Sequence, residues 1–163
     1  MAAAGDSRQG GALAPPCLDA PPLRVVLDTN VLLSLWAFVD SRFAPLRQRV
    51  ECRAWLALTR DDCLAEFHRV LGYPEFGLST PQQSEIFAAY ARVARVHSEQ
   101  PQQVCALPRC KDRDDQKFLE LARDAAADWL ITADKALLRL ARGKKLQGLF
   151  RIITPQDALN TLG

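Results

Sequence analysis

Short apolar runs alternate with amphipathic stretches along this chain. Residues 23–27 carry Leu23, Val25, Val26 and Leu27, a run suited to a buried strand. It ends at Asp28-Thr29-Asn30, and 31–37 reads as the opening of a helix. A loop at 38–44 leads to Pro45, placed as the first residue of a helix reaching about Val50. Residues 54–58 read as a second strand. Thr59 or Asp61 then caps a helix through Leu71, with Leu64, Phe67 and Leu71 at helical spacing. Gly72-Tyr73-Pro74 stops it. Thr80-Pro81 joins a capping hydroxyl to a proline at the first helical position, and Ile86, Tyr90, Val93 and His97 fall on one side of the helix that follows. Residues 101–108 read as a connection or weak strand.

Asp112 or Asp114 caps the next helix, which runs to about Ala125 with Phe118, Leu119, Leu121 and Ala122 as its apolar face. Residues 129–132 form a third strand, 134–140 a short helix, 143–145 a turn and 150–153 a fourth strand. Thr154 caps a last helix at 155–162. Strands alternating with helices predict an α/β fold with a parallel sheet and right-handed crossovers.

The 163 residues are 48% hydrophobic, enough for one sizeable core over 23–163. Residues 1–22, rich in Ala, Gly and Pro, read as a mobile leader without the long apolar segment of a signal peptide. A net charge of +2 does not by itself call for a nucleic-acid partner, although clustered basic residues can serve one. No apolar run approaches the roughly 18 residues of a membrane span. Five cysteines, an odd number without a C-x-x-C pair, read as buried or incidental thiols in a reducing cytoplasm.

Four acids carry the chemistry. Asp28 follows the first strand, Glu66 lies about one turn into the helix after the second, Asp115 opens the helix before the third, and Asp134 follows that strand. Each alone is an ordinary cap or solvated charge. Together they fall near strand carboxyl ends, where open parallel sheets bind ligands. Carboxylates that repel one another are commonly held by a divalent metal, and oxygen-only donors suit Mg²⁺ or Mn²⁺. A metal in an acidic pocket points to phosphodiester hydrolysis by metal-activated water. No competing nucleophile is evident: Ser34 lacks nucleophile-elbow glycines, and His68 and His97 read as surface or helix-packing residues. There is no P-loop and no G-x-G-x-x-G.

These residues resemble a known family. The stretch from Val25-Val26-Leu27-Asp28-Thr29-Asn30 to Ser34 resembles the opening motif of PIN-domain nucleases. Asp112-Arg113-Asp114-Asp115-Gln116-Lys117-Phe118-Leu119 resembles the third acidic motif of a bacterial subgroup described as VapC-like toxin components of toxin–antitoxin systems. Leu130-Ile131-Thr132-Ala133-Asp134-Lys135 resembles that subgroup's fourth motif, and Arg151 to Pro155 its closing strand.

The resemblance implies a three-layer α/β/α fold and a Mg²⁺- or Mn²⁺-dependent endoribonuclease. It further implies a cytoplasmic homodimer and a small antitoxin partner that blocks the acidic pocket. On that basis Asp28, Glu66, Asp115 and Asp134 match the metal-binding and catalytic acids. Asn30 and Thr132 match polar residues that orient them, and Asp112 and Asp114 are candidate extra acids that otherwise read as a cap and a solvated charge. Arg60, Arg113 and Ala133 stand where the pattern has serine, proline and glycine, departures that touch loop geometry rather than carboxylates.

Arg109, Lys111, Arg113, Lys117 and Lys135 lie beside these motifs and are candidate contacts for RNA phosphates. Arg139, Arg142, Lys144 and Lys145 read as a second, solvated cluster. No aromatic row interleaves with the charges, so base stacking is not indicated. Trp36, Trp55 and Trp129 read as core. Two other readings stand beside the ribonuclease: a non-catalytic module of this fold that binds RNA or protein, and a structure-specific DNA nuclease, for which the chain offers few clamping elements.

Overall fold

The computed structural model describes residues 20–100 and 105–163. Most of the expected leader and the first half of the 101–108 connection lie outside them. The central strand β1 (Leu23–Leu27) pairs in parallel with β2 (Trp55–Thr59) on one side and β4 (Trp129–Ile131) on the other. β3 (Arg95–Val96) and β5 (Arg151–Ile153) complete an all-parallel sheet in the order β3-β2-β1-β4-β5.

Successive strand residues point to opposite faces, and both faces are covered. Val25, Leu27, Trp55, Ala57, Ile131 and Ile153 pack on one side. Their partners come from α1 (Thr29–Leu32), α2 (Ala44–Glu51), α3 (Asp61–Leu71), α4 (Thr80–Val93) and α7 (Pro155–Asn160). Val26, Leu58, Leu130 and Ile152 pack on the other side against α5 (Gln116–Asp124) and α6 (Lys135–Leu140). The result is the three-layer α/β/α arrangement. Trp36 and Trp55 are buried, and Trp129 meets Trp55 edge-on at 5.6 Å, so the tryptophans serve the core. His68 lies edge-on to Phe87 at 5.2 Å on the helical surface.

Several local expectations change. Helix α4 stops at Val93 rather than continuing toward His97, because the open edge of β2 takes the next residues as a strand. Leu58 and Thr59 pair with Arg95 and Val96, and the His97 amide donates to the Thr59 carbonyl at 2.8 Å. The sheet therefore has five strands where four were expected, and 105–108 holds none. The helix begun by α1 continues as a π-helical segment, Leu33–Ala37.

Three caps also shift. Ser79, not Thr80, caps α4 through a reciprocal box with Gln82. Arg60 occupies the cap position of α3, ahead of Asp61 and after the sheet-bound Thr59. Its guanidinium makes no cap bond but reaches Asp62 at 2.7 Å and Glu120 of α5 at 3.3 Å, while the Asp62 carboxylate accepts from the Cys63 amide at 2.9 Å. Asp115, rather than Asp112 or Asp114, occupies the cap position of α5. Thr154 caps α7 as expected, in a box with Asp157.

Candidate active site

The chain adds β2 and β3 on one side of β1, then returns to add β4 and β5 on the other. This reversal places a crevice beyond the carboxyl ends of β1 and β4. Asp28 leaves β1 there, and Thr132 and Asp134 leave β4.

Asp28 extends the sheet pairing, its amide donating to the Ile131 carbonyl at 3.1 Å, and this pins the side chain at the strand end. Asp28 as a residue is only 3% exposed. Its Oδ2 accepts a hydrogen bond from Thr132 Oγ1 at 2.7 Å. The same hydroxyl oxygen accepts from the Asp134 amide at 3.0 Å, so one buried threonine fixes both acids. Burial pushes the Asp28 carboxyl above the usual range, the charges of Glu66 and Asp134 add to this, and the Thr132 bond only partly offsets it.

Glu66 projects from the second turn of α3. Thr29 Oγ1 donates to its Oε1 at 2.6 Å, and the Lys117 ammonium from α5 pairs with Oε2. Asp134 caps α6, Oδ1 accepting from the amides of Ala136 at 2.7 Å and Leu137 at 3.1 Å. Asp115 sits at the cap position of α5 without making a side-chain cap bond, so its carboxylate is left for another use. Burial and then the charges of Asp28, Asp134, Asp112 and Glu66 push its carboxyl up to about 6. Four acids from four segments thus share one electrostatic neighbourhood.

The remaining expected residues divide. Asn30 is exposed on the first turn of α1, and Asp112 accepts from the Asp114 amide at 2.9 Å. Arg109, Lys111, Arg113 and Lys117 line one cleft of about 700 Å³, joined by Arg60 and Arg123. Lys135 stands apart, in a depression with Arg139 and Arg142.

Sequence reasoning missed two supporting residues. Thr29, which orients Glu66, is signalled only as a hydroxyl beside the first acid. Gln116 Oε1 accepts from the Cys110 amide at 2.7 Å and its Nε2 donates to the Pro108 carbonyl at 3.2 Å, tying the basic loop to α5. No sequence signal marks it.

A family profile described as PIN domain matches residues 24–136, from β1 into α6 and including all four acids. The chain belongs to the PIN domain family. No curated protein matches it.

PIN domains are generally nucleases that use divalent metals, and this fold and acidic crevice accord with that character. The donor chemistry fits: every candidate ligand is a carboxylate oxygen, the set hard divalent cations prefer. Among the described residues, however, no three His, Cys, Asp or Glu side chains are assembled closely enough to hold an ion. Both oxygens of Glu66 are engaged, one by Thr29 and one by Lys117. Also among the described residues, no helix is long and apolar enough to cross a membrane.

Proposed function

We propose that this PIN domain is a Mg²⁺- or Mn²⁺-dependent endoribonuclease whose metal is held by Asp28, Glu66, Asp115 and Asp134. The observation that carries the reading is the gathering of four carboxylates at the switch point, of which only Glu66 has a cationic partner among the described residues. Burial and its acidic neighbours drive Asp115 up to about 6, and a bound cation would relieve that repulsion. A bound divalent ion supplies the charge that activates water and stabilises the leaving oxygen.

The chain's own groups supply position. Thr132 holds Asp28 and the Asp134 amide, Thr29 aims Glu66, and the rigid sheet fixes the strand ends. Arg109, Lys111 and Arg113 extend into the adjoining cleft, where an RNA backbone would be held by its phosphates. In the cell we assign the protein to the toxin half of a toxin–antitoxin pair. It would act in the cytoplasm as a homodimer, restrained by a small antitoxin that covers the acidic pocket.

The test uses labelled single-stranded RNA with Mn²⁺ or Mg²⁺. Internal cleavage is expected, lost in EDTA and in Asp28→Asn and Asp115→Asn proteins that remain folded. Undiminished cleavage by both variants would reject the site. Absence of cleavage together with absence of a Mn²⁺-induced thermal shift would favour a binding module. The toxin assignment has its own assay: induced wild type should arrest growth, Asp28→Asn should not, and a small DNA-binding protein encoded beside the gene should restore it. Growth unaffected by the wild type would remove that assignment while leaving the nuclease in place.

A further inference from the structure

Lys117 belongs to two neighbourhoods at once. Its ammonium pairs with Glu66 Oε2 in the acidic crevice and also donates to the Asp114 carbonyl at 2.8 Å. The same side chain lines the basic cleft with Arg109, Lys111 and Arg113. The pair is largely shielded, with Lys117 17% and Glu66 13% exposed in their side chains.

Glu66 therefore meets an incoming ion with one of its two oxygens already paired with an ammonium. Its Oε1 takes the Thr29 hydroxyl at 2.6 Å, a neutral bond that leaves the carboxylate's charge intact. Its Oε2 takes a full positive charge. An ammonium and a divalent cation cannot occupy that oxygen together without strong like-charge repulsion in a shielded site. They must compete. The flexible four-carbon stem of lysine lets the ammonium leave without any change in the backbone. Because Lys117 already borders the cleft, the space open to a displaced ammonium is the space where phosphates would lie.

We propose that Lys117 is a tethered counter-ion that holds Glu66 in the metal-free protein and, when a divalent ion takes Glu66, moves into the basic cleft to hold a substrate phosphate. This rests on the metal-dependent reading of the acidic crevice. It makes Lys117 a positioning residue that couples two ligands. Metal loading frees a cation for RNA, and RNA that retains this cation favours metal loading, by the reciprocity of linked equilibria. A purely structural ion pair between α3 and α5 predicts the opposite sign, since its removal would loosen Glu66 and weaken metal binding.

The experiment is calorimetric titration of Mn²⁺ into metal-free, full-length protein without RNA. Lys117→Gln keeps a hydrogen-bonding side chain but removes the charge, and should tighten Mn²⁺ binding about tenfold, within the range of ordinary coupling energies. Lys117→Arg should stay near wild type, and Asp28→Asn should lose binding. In a second arm, Mn²⁺ should tighten the binding of a non-cleavable 2′-O-methyl oligonucleotide to wild type, and much less to Lys117→Gln.

Mn²⁺ binding by wild type that Lys117→Gln leaves unchanged or weakens overturns this inference alone. Mn²⁺ binding by none of the proteins overturns the metal reading with it. Should Lys117→Gln not fold, wild type carrying ¹³C-labelled lysine decides the matter. Mg²⁺ must shift the Lys117 resonance, assigned with Lys117→Arg, and a stationary resonance overturns the proposal.

Discussion

The two ends of the sheet treat charge in opposite ways. At the amino-terminal edge, Asp128 Oδ2 accepts from the Arg24 amide at 2.8 Å. The Arg24 guanidinium donates to the Ala125 carbonyl at 2.7 Å and to the Ala126 carbonyl at 3.2 Å, closing the end of α5. Charge there is answered by partners. At the carboxyl-terminal edge, the charges of Asp28, Glu66 and Asp134 bear on Asp115, and Lys117 is paired with Glu66. Similar residue types thus serve architecture at one end and leave an attraction for cations at the other. What separates them is that four acids crowd the carboxyl-terminal edge with one paired cation, and that Asp115 makes no side-chain cap bond.

The sharpest break of this contrast compares two aspartates. Asp28→Asn should reduce metal-dependent RNA cleavage by more than the roughly 10–100-fold that supporting residues of metal sites cost. Asp128→Asn should leave initial rates per folded molecule unchanged. Equal losses in the two would erase the distinction. Thr132→Val, which removes the hydroxyl shared by Asp28 and the Asp134 amide, should fall within that ~10–100-fold range in activity or Mn²⁺ affinity.

At the other end, Arg24→Ala should cost about 1.5–3 kcal/mol of stability, the scale of lost charged hydrogen bonds, with cleavage per folded molecule retained. Denaturant melts and initial rates on the same preparation check this.

A smaller effect is the pH dependence of the metal-free fold. Asp115 titrates at about 6 in the folded chain, above its unfolded value near 4, so the native state holds more protons between those limits. Stability in EDTA should therefore fall as pH rises from about 4 to about 6, and Asp115→Asn should flatten the slope. Asp62, lowered by its bond to Arg60, has the opposite sign and acts below that window. A melting temperature that rises through the window in wild type, or a slope unchanged in the variant, would show that the acids are not in conflict.

The least perturbing probe uses two thiols flanking β2. Cys52, exposed before the strand, should react with a maleimide at neutral pH. Cys63, buried after it with a thiol pushed up to about 12, should react only on unfolding. Peptide mass spectrometry separates the two, and prompt labelling of Cys63 would place that edge in water.

Strands β1, β2, β4 and β5 were legible because coverage on both faces makes them dense apolar runs, broken near their amino ends by Arg24 and Arg151. β3 was not. Arg95 and Val96 are exposed, and they are a strand only because β2 has an open edge beside them. Caps were misplaced by about one residue because Ser79 and Thr80, or Asp112, Asp114 and Asp115, are chemically equivalent on paper. Their roles separate only when the backbone chooses its turn.

Lys117 carries the same lesson into the site. Sequence proximity made it one of five candidate phosphate contacts, yet its ammonium lies on Glu66, fifty-one residues away. Nothing local announces a contact made across two helices.

From the order of its residues alone, this protein had its layered α/β class, most of its strands and the positions of the four acids, because periodicity and charge are local properties. Folding decided which acids are saturated and which are left wanting, which hydroxyl braces each, and which cation stands among them. Those are properties of distance between chain segments, and only a packed sheet sets such distances.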